Sequence, residues 1–260
     1  MNADDARVIG WRVAIVAAVL LAWHVASGRL VNPMFVSAPL DVMGRLWKLA
    51  VDGKLAFHAG YTAFHALAGF VLGAIAGTVV GVLLGRLQFL ARVLDPFVMG
   101  FYSLPKIALA PLFILWFGVG TEMKVLFVAM VVFLLVFLNT YSGVRQVSRE
   151  QVTILRLMSA TESQILRKVV LPSAVTWMFT GLRLSVPYAL IGAIMGEMLA
   201  SNRGLGYLLS DATAQFDTAG AFAAVVAIIL MAVLFNAAVR LAETLAMPWR
   251  EAETGRELSL

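Results

Sequence analysis

Long apolar runs separated by short polar segments set the pattern of this chain. Six can be drawn: Trp11 to Ala26, Ala59 to Leu84, Val93 to Phe117, Met123 to Tyr141, Ser173 to Leu199 and Ala219 to Leu241. Each is near the ~20 residues that an α-helix needs to cross a hydrocarbon layer about 30 Å thick. Backbone groups at that depth find no water, so they must be satisfied within the segment, and helices are the default. The ~10-residue alternating segments of an outer-membrane barrel are absent. The pattern predicts an all-α polytopic membrane protein with about six transmembrane helices.

The runs differ in character. The second carries Gly69, Gly73, Gly77, Gly81 and Gly85 at every fourth residue, a smooth helix face that lets another backbone approach closely. The third is interrupted by Pro96, Pro105 and Pro111. Proline removes an amide donor and kinks a helix, and a broken helix at membrane depth lines protein or a cavity rather than lipid. The first run follows the acidic stretch "MNADDAR" with no small-residue cleavage site, so it reads as an anchor rather than a signal peptide. Between the first two runs, Val36 to Phe57 mixes charged and apolar residues and reads as a surface helix. No Ser/Pro linker divides the chain. The expected organisation is an N-terminal span and surface helix over 1–57, a core over 58–247 and a cytoplasmic tail over 248–260.

Composition agrees with the bilayer as solvent. Of the 260 residues, 61% are hydrophobic and 13% charged, against about 25% charged in soluble domains. Cysteine is absent, which removes disulfides and thiolate metal sites. The net charge of +5 is better placed at helix ends facing lipid headgroups and cytoplasm than on nucleic acid. With the N-terminus in the cytoplasm, 12 of the 20 Lys and Arg residues fall inside and 6 outside, while Lys106 and Arg183 lie within spans. That bias fits the positive-inside rule and makes the segment 146–172 cytoplasmic.

This segment is the polar exception in the chain. Its apolar residues, from Val152 through Val170, recur at mixed spacings of three and four, as an amphipathic helix requires. Ser159 followed by Glu162 matches a capping box that starts a second short helix, and Pro172 is expected to open the fifth span, where its missing amide costs little. The residues alone leave two readings open: an interfacial helix resting on headgroups, or a docking surface for a cytoplasmic partner.

The spacing of the segment resembles the cytoplasmic "EAA" loop of ABC-importer permeases, E-A-A, three residues, G, nine residues, I-x-L-P. Its end is nearly intact as Val169-Val170-Leu171-Pro172. Its start departs, with Thr153-Ile154-Leu155 in place of E-A-A and Ser159 in place of glycine. Other stretches resemble the nitrate/sulfonate/taurine branch of that family. These are "VSAPLDV" (36–42), "DGKLAFHAGYTAFHALAGFVLG" (52–73, with His65 where arginine is common), "DPFVMGFYSLPKIALAPLFILWFGVG" (95–120) and "TGLRLSVPYALIGAIMGEMLASNRGLGYLL" (180–209). The resemblance spans residues 36–250.

The resemblance implies a type I ABC importer permease fold in the bacterial inner (plasma) membrane. It implies a second permease subunit, as homodimer or heterodimer, two ATP-binding subunits and an extracytoplasmic substrate-binding protein. ATP and Mg would belong to the partner ATPase, with no cofactor in this chain and no enzymatic activity of its own. The chain has no G-x-x-x-x-G-K-[ST] loop of its own. The substrate would be a small anion such as a sulfonate or nitrate, or a cofactor precursor. The ATPase-coupling residues would be Leu157, Met158, Ser159, Ala160, Thr161 and Glu162, followed by Leu171 and Pro172.

The polar residues inside the runs are costly in lipid. Tyr102, Pro105, Lys106 and Glu197 are the pathway candidates, with the third span broken near Pro105 and lining the pathway with the fifth. Glu197 has a structural hydrogen-bond role as its competing reading. Arg183 and Glu197, fourteen residues apart and so about 21 Å along a helix, cannot meet. Asn139 and Asn236 are expected to bond between helices. His58 and His65 lack further ligands at metal-site spacing, and no nucleophile–base–orienter set is visible. A secondary transporter driven by an ion gradient is the alternative, but no internal repeat is evident. A membrane-embedded enzyme would need a cluster of His, Asp or Glu that the spans do not offer.

Overall fold

The structure is a computed structural model, and it describes residues 3–32, 34–147 and 149–246. The expected tail over 248–260 lies outside the described residues. Eleven α-helices are present among those residues: α1 Ala3–Arg29, α2 Pro39–Val51, α3 Lys54–Arg86, α4 Gln88–Ser103, α5 Ala110–Phe117, α6 Thr121–Arg145, α7 Arg149–Leu157, α8 Glu162–Ile165, α9 Leu171–Ala200, α10 Leu205–Ala214 and α11 Thr218–Ala246. Five of these helices are long and apolar enough to cross a membrane, and α4 with α5 forms a bent sixth.

Two differences from the sequence reading are local. The surface helix expected over Val36 to Phe57 is two elements, because Gly53 adopts φ 71 and ends α2 before α3 begins. The short helix α10 lies where no separate element was expected. Its entry turn uses Gly204 at φ 104, a conformation that glycine reaches without a Cβ penalty.

The chain forms two compact units. The first contains residues up to Tyr61 and Arg203–Ile229. Its core is Val42, Leu49 and Ala223, flanked by Trp23 and Phe222. Arg45 holds Asp217 at 2.6 Å, and Asp217 in turn accepts the Gly220 amide at 2.8 Å and so caps the start of α11. Arg203 donates to the Tyr61 hydroxyl and lies over the Tyr61 and Phe57 rings. His58 stacks on Tyr207 and accepts the Gly204 amide.

The second unit contains Thr62–Asn202 and residues from Leu230 onward. Its centre is α6, packed between α3 and α9. The glycine ladder of α3 lies directly on α6. A Cβ at Gly69 would come within 2.5 Å of the Val128 Cβ, one at Gly77 within 2.8 Å of the Phe133 oxygen, and one at Gly85 within 2.7 Å of the Val144 Cβ. The partners advance in the same order as the glycines, so α3 and α6 run parallel. Gly181 meets Asn139 and Gly196 meets Lys124, so α9 runs antiparallel to α6. The parallel pair has a topological consequence. The end of α3 and the start of α6 lie at opposite ends of the unit, so the chain between them must return across its full thickness. The α4–α5 pair, bent by 85° at its break, is therefore one crossing.

Two polar expectations are corrected here. Asn139 bonds within its own helix, donating to the Leu135 carbonyl at 2.8 Å, rather than between helices. Lys124, one of the six basic residues assigned to the outer side from the sequence, is buried at 3% exposure. Its ammonium donates to the Val119 and Gly120 carbonyls, which satisfies the backbone of the turn that follows α5.

Candidate functional site

The polar loop folds as a helix–turn–helix. After α7, the Ser159 amide donates to the Arg156 carbonyl at 2.9 Å and the Ala160 amide to the Leu155 carbonyl at 3.0 Å. This pair of bonds is the Schellman pattern, whose C′ residue is left-handed and most often glycine. Ser159 occupies that place at φ 58. The position where the resembled loop carries glycine is thus a helix stop, and serine holds it at a steric cost.

The capping box is present two residues later than the sequence suggested. Thr161, not Ser159, is the N-cap. Its hydroxyl accepts the Gln164 amide, and the Gln164 side chain accepts the Thr161 amide at 2.8 Å. Glu162 therefore is not the reciprocal cap. It sits in the first turn of α8, which suits a carboxylate, and it accepts from Arg156 at 3.1 Å. That ion pair links α7 to α8 across the turn.

The remaining loop residues divide by exposure. Leu157 is 81% and Met158 73% exposed, so the tip of the hairpin presents two large apolar side chains to the outside. Ala160 is half-buried, and Ile165 is buried at 3%. The join at Leu-Pro is helical throughout. From α8 the chain continues as a π-helical turn over Leu166–Val170, with the Leu171 amide reaching back to the Leu166 carbonyl, and then directly as α9. Pro172 stands in the first turn of α9. The widened turn before it accommodates its ring and missing amide, as π-bulges do inside longer helices. The second limb of the hairpin and the fifth span are consequently one continuous helix from Glu162 to Ala200.

The broken third span comes next. α4 stops at Ser103, Leu104 and Pro105 are extended, and a 3-10 turn over Lys106–Leu109 leads into α5. Tyr102 and Lys106 face each other across the break: the ammonium lies 5.0 Å from the ring centroid and donates to the Tyr102 carbonyl at 3.2 Å. Tyr102 and Pro105 are exposed, and Lys106 is half-buried. Glu197 is elsewhere. It is 1% exposed and accepts from the Thr62 hydroxyl at 2.8 Å and from His65 Nδ1 at 2.8 Å, joining α9 to α3. The structure thus brings Tyr102, Pro105 and Lys106 together and sets Glu197 in a separate, enclosed cluster.

Three features were not read from the sequence. Asp95 of α4 accepts from the Tyr141 hydroxyl at 2.5 Å and from Arg145 at 3.1 Å, tying the broken span to the last turns of α6. Arg183 pairs with Glu243 of α11; the costly charge of Arg183 in a span was itself a signal that a carboxylate partner was needed. Finally, a cavity of about 700 Å³ opens beside the loop, lined by the ends of α3, α4 and α6 and by α7 and α8.

The arrangement can be set beside known proteins. Residues 69–248 match the family described as binding-protein-dependent transport system inner membrane component. The putative aliphatic sulfonates transport permease protein SsuC of Bacillus subtilis (strain 168) is 30% identical, over 95% of this chain and 90% of its own. The formylaminopyrimidine transport permease protein ThiX of Halalkalibacterium halodurans is 32% identical, over 90% of this chain and 93% of its own. In fold, the chain is similar to an inward-facing conformation of the MetNI methionine ABC transporter, with a TM-score of 0.61 at 18% identity over 82% of this chain and 97% of that one. The resemblance seen in the loop and the broken span is thus matched over most of the chain, which belongs to the binding-protein-dependent inner membrane components, as an ABC transporter permease of the nitrate/sulfonate/taurine branch.

Proposed function

We propose that this permease forms the substrate pathway of an ATP-driven importer, and that the Leu157–Met158 tip docks into a separate ATPase subunit and carries its closure into the fifth span. The observation that carries the proposal is the tip itself: two exposed large apolar side chains on a hairpin fixed by a Schellman stop, a capping box and the Arg156–Glu162 pair. Burying one such side chain stabilises a complex by roughly 1.5–3 kcal/mol. A rigid hairpin whose second limb runs on into α9 transmits displacement, where a flexible loop would absorb it.

The other parts follow from the family. Two permease subunits, two ATPases holding ATP and Mg, and an external binding protein would complete the machine in a bacterial inner membrane. The names of the relatives favour a small organic substrate, a sulfonate or a cofactor precursor. The broken span, with Tyr102, Pro105 and Lys106, is the pathway element we propose, and the Asp95–Tyr141–Arg145 cluster ties it to the helix that leads into the loop.

The test is Met158→Asp. A carboxylate forced into an apolar cleft without a partner is costly. Docking predicts loss of ATPase copurification, or hydrolysis without uptake in reconstituted vesicles, with the membrane fold intact. A headgroup-resting loop predicts the opposite: weakened membrane stability with the ATPase still bound. Uptake driven by an ion gradient without ATP would overturn the importer reading and favour a secondary transporter.

A further inference from the structure

The cavity beside the loop has a charge that the coupling reading does not use. Four arginines line it: Arg86 at the end of α3, Arg92 in α4, Arg145 at the end of α6 and Arg156 in α7. Two have carboxylate partners, since Arg145 holds Asp95 and Arg156 holds Glu162. Arg86 and Arg92 meet no carboxylate among the described residues. The lining therefore keeps two uncompensated positive charges in a concave site whose walls include Gly85, Val144, Val147, Ile165 and Leu166.

We infer that this cavity binds a phosphate-bearing anion, the headgroup of an anionic phospholipid in the cytoplasmic leaflet, on Arg86 and Arg92. Three observations converge. Like charges gathered in a concave site add their fields and draw in a counter-ion. Guanidinium groups match phosphate oxygens two at a time, with charge-assisted hydrogen bonds. The size leaves room for more than a bare ion, because about 700 Å³ lies in the range of sites for whole organic ligands, roughly 300–1,000 Å³. Location selects the lipid. The cavity sits where three spans end, and basic pockets between spans on the cytoplasmic side suit anionic headgroups. A soluble phosphate ester shares the chemistry and differs only in source. The inference rests on the cytoplasmic placement of the loop, but not on coupling to an ATPase. A headgroup in this cavity would touch α3, α4, α6 and the loop at once, so membrane composition would bear on how the hairpin is held.

The test uses the full chain, purified with whatever subunits accompany it, in nanodiscs containing phosphatidylglycerol and phosphatidylethanolamine. Native mass spectrometry after delipidation reads the retained lipid. Phosphatidylglycerol should be retained selectively by the wild type. Arg86→Gln with Arg92→Gln should lower that retention roughly 30-fold, at about 1 kcal/mol per basic residue near the surface. Arg86→Lys with Arg92→Lys should keep most of it, which separates lost charge from misfolding. Arg240→Gln, outside this cavity, should change nothing. A second arm uses phosphatidylcholine discs and inorganic phosphate or glycerol 3-phosphate. Stabilisation there that depends on the two arginines, without selective lipid retention, would overturn the lipid assignment in favour of a soluble phosphate ester. Retention and stabilisation both indifferent to the two arginines would overturn the site altogether. Because the readout is bound anion rather than uptake, its failure is distinct from failure of the transport proposal.

Discussion

Ser159 holds a backbone conformation that costs an L-residue about 1–2 kcal/mol relative to the right-handed region, at φ 58. Ser159→Gly should relieve that cost and stabilise the turn, by up to about 1 kcal/mol after the extra freedom glycine gives the unfolded chain. Slower hydrogen exchange at the residue 159 and 160 amides would be the readout; faster exchange would contradict the Schellman geometry. Thr161→Ala should act oppositely, at about 1 kcal/mol for a lost N-cap. The sequence could not choose between the two capping frames, because Ser159–Glu162 and Thr161–Gln164 both satisfy the same pattern. What decides is where α7 stops, and the left-handed turn at Ser159 stops it too late for Ser159 itself to cap α8. At the buried cluster, Glu197→Ala should destabilise the protein by about 3 kcal/mol, since it removes the shared acceptor of Thr62 and His65 from the interior. Glu197→Gln, which still accepts a hydrogen bond, should cost less. Unfolding in detergent micelles compares the two, and equal loss would argue that the cluster acts through packing alone.

Among the elements, the α3–α6 contact was the most legible. Five glycines at every fourth position announce a close backbone approach, and the geometry gives the partner: α6, in parallel register. Gly77→Ala should therefore destabilise by about 1–3 kcal/mol through overpacking. Gly60→Ala, on the same helix but with nothing within 4 Å of the added Cβ, should be neutral or slightly stabilising. Thermal unfolding of the two variants should diverge, and equal effects would contradict the register. The continuous helix from Glu162 to Ala200 was the least legible. Pro172 is a strong boundary signal in sequence. A π turn has no composition of its own by which it could be read. Similarly, the prolines foretold the break at Leu104–Pro105, but not its 85° bend, which is set by how α5 packs Phe113 against Met123 and Phe127 of α6.

For the whole molecule, six apolar runs were enough to predict an all-helical membrane protein, and order and spacing of motifs gave the family. Pairings between distant carboxylates and bases, Arg183 with Glu243 and Asp95 with Arg145, required three-dimensional placement, because their separation in sequence carries no period. The mechanical reading joins these scales: a fixed tip, one unbroken helix into the fifth span, and a broken third span tied to α6. The absence of cysteine allows a single Lys106→Cys to report on the break. In the assembled transporter, ATP should change the rate at which this cysteine reacts with a water-soluble thiol reagent. Adding Met158→Asp should abolish that change and leave the nucleotide-free rate unaltered. If the ATP-dependent change survives in the double variant, the Leu157–Met158 tip is not what moves the pathway.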